Sequence, residues 1–367
     1  MLKNCQIIDA DAHVFEPLDM WQEYLEPAYK SFAPSPDMKI KGEPIYDKAS
    51  QEIVTHWSEQ VTKAHPMAKV NGFTNELHLM TMYQMGIDVS FIYPTLGLAI
   101  QSIDTMTPQV AGAFARAYNN WLQDFCSYEP RKLQGIGIVN RHAPEEMVAE
   151  LHRIAKMGWT AVCLRPNPVK GKLLSDSAYE PFWQECEELG IAVGIHEGTH
   201  GRLPSAGADR FDTRFALRSC SHPIEQMMAL LALIEGGVLE RYPKLKVGFL
   251  ESGCGWLLYW LWRLDEEYEC HHWEVKDRVK MKPSEYFRRQ CFVTFEPSES
   301  YLGEIIKYIG SDNLLFGSDY PHIHWRVEEE EPELLDINAL LQEQLPKAAM
   351  QKILWDNPAR FYGLKSI

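Results

Sequence analysis

The 367-residue sequence predicts an α/β fold, a (β/α)8 TIM barrel with one insertion after its first strand. Three observations carry that expectation. Short apolar runs bounded by turn residues recur along the chain, and amphipathic helical patterns separate them. Side chains able to bind a metal gather at the ends of several runs, which is where such a barrel places its chemistry.

The runs are Cys5–Val14, Asp88–Leu96, Leu133–Asn140, Trp159–Pro166, Ile191–Gly198, Leu245–Ser252, Cys291–Pro297 and Asn313–Pro321. They are rich in Val, Ile and Phe and almost continuously apolar, as strands covered on both faces must be; strands of an open hairpin sheet would alternate. The segment 26–78, rich in Pro, Lys and Met, breaks the repeat and is expected as an insertion over the barrel mouth. Pro108 to Tyr128 carries Val110, Phe114, Ala117, Trp121 and Phe125 at three-to-four spacing, which predicts an amphipathic helix. Glu145–Met157, Ala178–Leu189, His222–Gly236, Gly255–Glu269 and Tyr301–Ile309 follow the same logic. Gly158, Gly190, Gly236 and Gly310 stand where left-handed helix ends are expected. The acidic run Glu328–Glu331 before Pro332 reads as a solvated helix start. An open doubly wound sheet is the competing architecture, but no GxGxxG or P-loop follows any run. The whole chain, 1–367, reads as one domain.

Composition restricts the partners. Hydrophobic residues make up 46% and charged residues 24%, ample for a large core, and the formal net charge of −15 disfavours a polyphosphate partner such as nucleic acid. Met1–Gln6 lacks the basic and apolar regions of a signal peptide, and the aromatic run Trp256–Trp262 is far short of a membrane span. Eight cysteines without a CxxC pair read as reduced thiols in a cytoplasmic protein. The expected partner is a small-molecule substrate, with no nucleic acid and no membrane. Trp256–Trp262 would suit a homodimer interface where it is exposed.

The chemistry concentrates at strand ends. The first run closes on Asp9-Ala10-Asp11-Ala12-His13. Residues two apart on a strand share a face, so Asp11 and His13 point the same way, while Asp9 lies deeper in the same phase and is a weaker candidate. The fifth run ends at His196 and the last at Asp319. Two imidazoles and two carboxylates converging on one mouth suit Zn, Fe or Mn as divalent ions, with a position left for water.

The motifs extend further. They include Ile8-Asp9-Ala10-Asp11-Ala12-His13-Val14-Phe15-Glu16-Pro17, the strand bearing His196, and Gly237-Val238-Leu239-Glu240-Arg241-Tyr242-Pro243-Lys244-Leu245-Lys246-Val247. Phe316-Gly317-Ser318-Asp319-Tyr320-Pro321 and the closing Asn357-Pro358-Ala359-Arg360-Phe361-Tyr362-Gly363-Leu364 complete them. With these motifs the chain resembles, nearly end to end, the amidohydrolase-related family typified by aminocarboxymuconate semialdehyde decarboxylase. The resemblance implies a divalent metal held by Asp11, His13, His196 and Asp319. The family commonly has His-x-His on the first strand; Asp11 in its place makes the site harder and more anionic, weakly favouring Mn or Fe over Zn. The family's decarboxylases have a His-Gly-Gly-type sequence on the sixth strand. This chain has Glu251-Ser252-Gly253 there, and a carboxylate does not supply the neutral donor and acceptor of an imidazole. Glu251 is therefore read as a general base or as a ligand for a second metal ion, against the plainer reading that it caps the helix starting near Gly255.

Other polar residues are candidates for substrate binding. His200 and Arg202 follow the fifth strand, and Arg165 ends the fourth, where a guanidinium would clamp a carboxylate or make a salt bridge in the rim. His222 precedes Pro223 at an expected helix start, pointing into the site or capping. His322 and His324 follow Asp319, and Glu16-Pro17 starts a turn. Cys254 lies between two glycines, but no histidine is placed beside it and no Gly-x-Ser-x-Gly elbow occurs.

These residues predict a metal-dependent hydrolase, with one or two ions activating water against an amide, ester, thioester or C–C bond. Asp319 would carry the proton and Glu251 would assist. The alternative is a non-oxidative decarboxylase of an aromatic or unsaturated acid, which a strong cation near the metal would support. A catalytically silent, ligand-binding barrel is the third reading, opposed by the retention of all four metal-type residues.

Overall fold

The computed structural model describes residues 6–46, 63, 67–68, 72–197, 202–295, 299–322 and 347–364. Each expected apolar run contains a strand: β1 (Ile8–His13), β2 (Val89–Tyr93), β3 (Leu133–Gly135, resumed as Gly137–Ile138), β4 (Ala161–Leu164), β5 (Ala192–His196), β6 (Val247–Leu250), β7 (Cys291–Phe295) and β8 (Leu314–Phe316). All neighbours pair in parallel and in chain order, β1 to the first part of β3 in one sheet and the second part of β3 to β8 in another. The glycines on either side of the interruption in β3 have a steric reason. A Cβ on Gly135 would meet Trp159 at 2.3 Å, and one on Gly137 would meet Ile154 at 2.5 Å, so the strand is pressed against its covering side chains.

The exit of β8 lies against β1. Asp319 donates its amide to the Asp11 carbonyl at 2.8 Å and His13 donates to the Tyr320 carbonyl at 2.6 Å. A Cβ on Gly317 would approach the Asp11 Cβ to 2.6 Å, which is why glycine stands at that crossing. The last helix seals the interior from its other side. Tyr362 stacks on Phe91 at 3.5 Å and donates its hydroxyl to the Ala10 carbonyl at 2.6 Å.

The helices that matter for the site are α1 (Leu96–Gln101), α2 (Pro108–Cys126), α3 (Pro144–Lys156), α4 (Glu180–Leu189), α5 (Arg214–Glu235), α6 (Trp256–Val275), α7 (Leu302–Ile309) and α8 (Asn357–Tyr362). Three expectations need correction. Helix α5 begins at Arg214 rather than His222, because Pro223, which suits the first turn of a helix, here lies inside one. Its true N-cap is Thr213, whose side chain accepts from the Ala216 amide. Gly236 keeps a right-handed conformation, and Gly237 (φ 74°) makes the left-handed turn instead. Helix α6 runs on to Val275 across a break at His271. Of the segment 26–78, the described part holds a 3-10 turn (Pro27–Phe32), a small hairpin (Lys39–Ile40 with Glu43–Pro44) and the start of the helix Asn75–Met85, with Ile40, Ile45 and Tyr46 buried in the main core. Glu328–Glu331 lies outside the described residues. Among the described residues no helix is long and apolar enough to cross a membrane, and Cys126, Cys163, Cys186, Cys220, Cys254, Cys270 and Cys291 are free thiols.

Candidate metal centre

Asp11 and His13, two apart on β1, face His196 at the end of β5. His13 Nδ1 sits 3.0 Å from the Pro94 carbonyl, which can only accept, so Nδ1 carries a proton and Nε2 is the nitrogen that faces the centre. His196 Nε2 is 3.1 Å from His13 Nε2. Asp11 Oδ1 lies 3.6 Å from His13 Nε2 and 3.4 Å from His196 Nε2. Glu251 Oε2 approaches His196 to 3.2 Å and His13 to 3.8 Å, and Asp319 Oδ1 approaches His13 to 3.3 Å.

All five side chains are buried, and Asp11 Oδ1 and His196 Nδ1 have no hydrogen-bond partner among the described residues. Burial opposes a charge on His13, yet the Asp11, Asp319 and Glu251 carboxylates override it and hold its pKa up at about 9. Three carboxylates around two inward-facing imidazole nitrogens form a site that calls for a positive charge at its centre. The residues present fit a divalent cation.

Two of the carboxylates sit on unusual backbone. Glu251 (φ 50°) and Asp319 (φ 55°) are both left-handed non-glycine residues at strand exits, a conformation with a steric cost that surrounding contacts must hold in place. Asp319 Oδ1 accepts from His322 Nδ1 at 2.7 Å, and His322 Nε2 faces the Thr95 hydroxyl at 2.8 Å. His322 stacks on His13 at 4.1 Å, and burial pushes its pKa down, favouring the neutral ring. On Glu251, Oε1 meets Arg218 Nη2 at 3.3 Å and His222 Nε2 at 3.4 Å. Burial would raise the Glu251 pKa, but His222, His196 and Arg218 together hold it well below the carboxylate range. Burial, with the Arg218 charge beside it, pushes His222 down to about 4, so this imidazole is neutral near pH 7.

The family model described as Amidohydrolase matches residues 8–364. The chain belongs to the amidohydrolase family. A 2-amino-3-carboxymuconate-6-semialdehyde decarboxylase of Dictyostelium discoideum is 28% identical over 215 residues, covering 58% of this chain and 58% of that protein. A gamma-resorcylate decarboxylase of a Polaromonas species is 28% identical over 233 residues, covering 61% of this chain and 70% of that protein. The crystal structure of a dihydroxybenzoic acid decarboxylase from Polaromonas, with bound manganese and the inhibitor 2-nitroresorcinol, superimposes with a TM-score of 0.72 at 17% identity, covering 99% of this chain and 98% of that one. These likenesses establish the amidohydrolase fold, α/β with parallel strands. They correct the expectation of a hydrolase, because the relatives are decarboxylases. A metal-ligand set of this kind serves either chemistry, so it left the reaction open.

The amidohydrolase site also draws in residues unequally. It gathers Asp11, His13, His196, Glu251 and Asp319, with His222 and His322 against them. Arg165 is buried and pairs with Glu197 at 3.4 Å, and Arg141 donates to the Arg165, Asn167 and Lys172 carbonyls, fastening that loop. The Arg202 guanidinium donates to the Pro44 carbonyl at 2.9 Å, toward the hairpin rather than the centre. His200 and His324 lie outside the described residues. The helix at Gly255 is capped by Glu299, which accepts the Cys254 amide at 3.0 and 3.2 Å, so the capping reading of Glu251 has no contact to support it. Burial and that same Glu299 push the Cys254 thiol up, unlike a nucleophile's. Glu16 does more than start a turn: it accepts the Thr95, Leu96 and Gly97 amides and caps α1. Sequence reasoning missed Arg218. It stands four residues before His222, a spacing that puts both on one face of α5 once the helix is known to begin at Arg214.

Proposed function

We propose that the chain is a metal-dependent, non-oxidative carboxy-lyase for an aromatic or unsaturated acid. Asp11, His13, His196, Asp319 and Glu251 are its metal-holding residues, in a barrel that closes through the β1–β8 contact. The placement of Asp319 is the observation that carries the reading. Decarboxylation replaces a C–C bond by C–H, so the carboxylate plus a proton gives R–H and carbon dioxide, and one group must deliver that proton. Asp319 stands beside His13 with its Oδ1 tied to His322, so the chain holds a carboxyl next to the centre and an imidazole to resupply it. Thr95 fixes the far nitrogen of that imidazole, and the Arg218 guanidinium stands on the far side of Glu251. A bound divalent ion supplies a positive pole for the substrate's carboxylate and an adjacent oxygen, and polarises both. Two nitrogens with three carboxylates make a hard donor set, which favours Mn or Fe over Zn.

Buried walls and the hairpin contact of Arg202 support the segment 26–78 as a cover for the mouth. Exposed Tyr259 and Trp262 on α6 and Ile224, Met228 and Leu231 on the adjoining α5 form an apolar face suited to a second copy of the chain. Free thiols fit a reducing, cytoplasmic setting.

The test is carbon dioxide release from hydroxybenzoic acids such as 2,6-dihydroxybenzoate and 5-carboxyvanillate by the manganese-loaded protein. Product formation matched by carbon dioxide is expected. Cleavage of esters or amides without carbon dioxide, across a substrate panel, would overturn the reading.

A further inference from the structure

Resting on the carboxy-lyase reading, we propose that Arg218 is a specificity-determining residue: it forms an anion subsite for a second carboxylate of the substrate, one that is not lost in the reaction. Glu251 divides its two oxygens. Oε2 faces His13 and His196, and Oε1 faces Arg218 and His222, so Arg218 stands one carboxylate further out than the metal residues. It is also more open. Its side chain is 28% exposed, whereas those of Asp11, His13, His196, His222, Glu251 and Asp319 are 8% exposed or less.

A guanidinium has five N–H donors in a planar fork that matches a carboxylate bidentately. Among the described residues Arg218 makes a single long contact, the 3.3 Å approach to Glu251. Two other candidate arginines are committed elsewhere, Arg165 to Glu197 and Arg202 to Pro44. The chemistry decides which anion Arg218 serves. The departing carboxylate has its positive pole at the metal-holding residues, which leaves the guanidinium one carboxylate further out for a second anion. A carboxylate that keeps its charge throughout is held equally at every stage, and gives selectivity without opposing the loss of the other. Glu251 keeps the guanidinium oriented until such a group arrives.

The experiment compares two probes by titration calorimetry on the manganese-loaded full chain, with recovery of each probe checked for carbon dioxide loss: salicylate, and 4-hydroxyisophthalate, which adds a second carboxylate. The expected result is at least about tenfold tighter binding of the diacid, the scale of one charge-assisted bidentate contact. In Arg218→Gln the preference should fall to about twofold or less, with salicylate affinity and manganese content unchanged; Arg218→Lys should retain part of it. Equal binding of the two probes by the unaltered protein, or a preference that survives in Arg218→Gln, would overturn the subsite. So would equal loss for both probes together with loss of manganese, which would make Arg218 a prop for the centre. Diacid preference without carbon dioxide release from any acid would sink the carboxy-lyase reading and leave the subsite standing.

Discussion

Ser318 donates both its amide (2.9 Å) and its hydroxyl (2.5 Å) to the carboxylate of Asp9, joining the exit of β8 to β1 two residues before Asp11. Asp9 also accepts the Asp11 amide at 3.2 Å, so one buried side chain sets the relative position of the two metal-bearing strand ends. Asp9→Ala would leave two half-buried donors of Ser318 without their acceptor. We expect a loss of about 2–4 kcal/mol of stability and weaker manganese retention. Chemical denaturation and metal analysis check it; unchanged values for both would show that the joint is dispensable.

Asp319→Asn preserves size and the backbone turn but removes the carboxyl proposed to carry the proton. Its fold and helical content should remain, while carbon dioxide release falls by at least about a hundredfold, on the scale of lost general acid catalysis. Circular dichroism and a turnover assay separate the two effects. Full activity in the Asn variant would remove Asp319 from the proton path.

Much of this was legible because parallel strands enforce a simple code. Continuous apolarity located each strand, and the two-residue period placed Asp11 and His13 on one face before any coordinates. What escaped depends on contacts distant in sequence. Glu16 caps a helix 80 residues away, and Glu299 takes the capping role that seemed open to Glu251. Arg218 was hidden by a local rule, since Pro223 reads as a helix start and made the turn before it look like loop. The reaction itself was not legible: the same five side chains can favour water attack or carbon dioxide loss.

Glu251→Gln removes a negative charge that His196 and Arg218 both face. The amide still fills the space, so folding should be retained, but manganese affinity and turnover should each drop by roughly tenfold or more. Elemental analysis after dialysis, with kinetics at saturating manganese, checks both. Retained affinity with reduced turnover would assign Glu251 to the reaction rather than to the metal.

Chelation should destabilise the protein as a whole. Without a cation, Asp11, Glu251 and Asp319 repel one another across a buried space. Adding manganese at about a hundred times its dissociation constant should restore about 2.7 kcal/mol by mass action. Thermal melts across a manganese titration give the measurement, and a melting point indifferent to both chelator and metal would contradict a metal centre at these residues.

The acid limit of the fold should be set partly by His78. It is buried against Phe125 and Tyr320, and burial alone pushes its pKa from 6.5 down to about 3. The unfolded chain therefore binds a proton that the folded chain refuses between those two values. Stability contributed by the neutral ring is complete above about pH 6.5 and declines as the pH falls toward 3, with a slope of up to about 1.4 kcal/mol per pH unit. His78→Phe keeps the aromatic contact and removes the titration, so its stability should fall less steeply over that window than the unaltered protein's. Denaturant unfolding at a series of pH values measures the two slopes, and identical slopes would mean that His78 is not what the acid attacks.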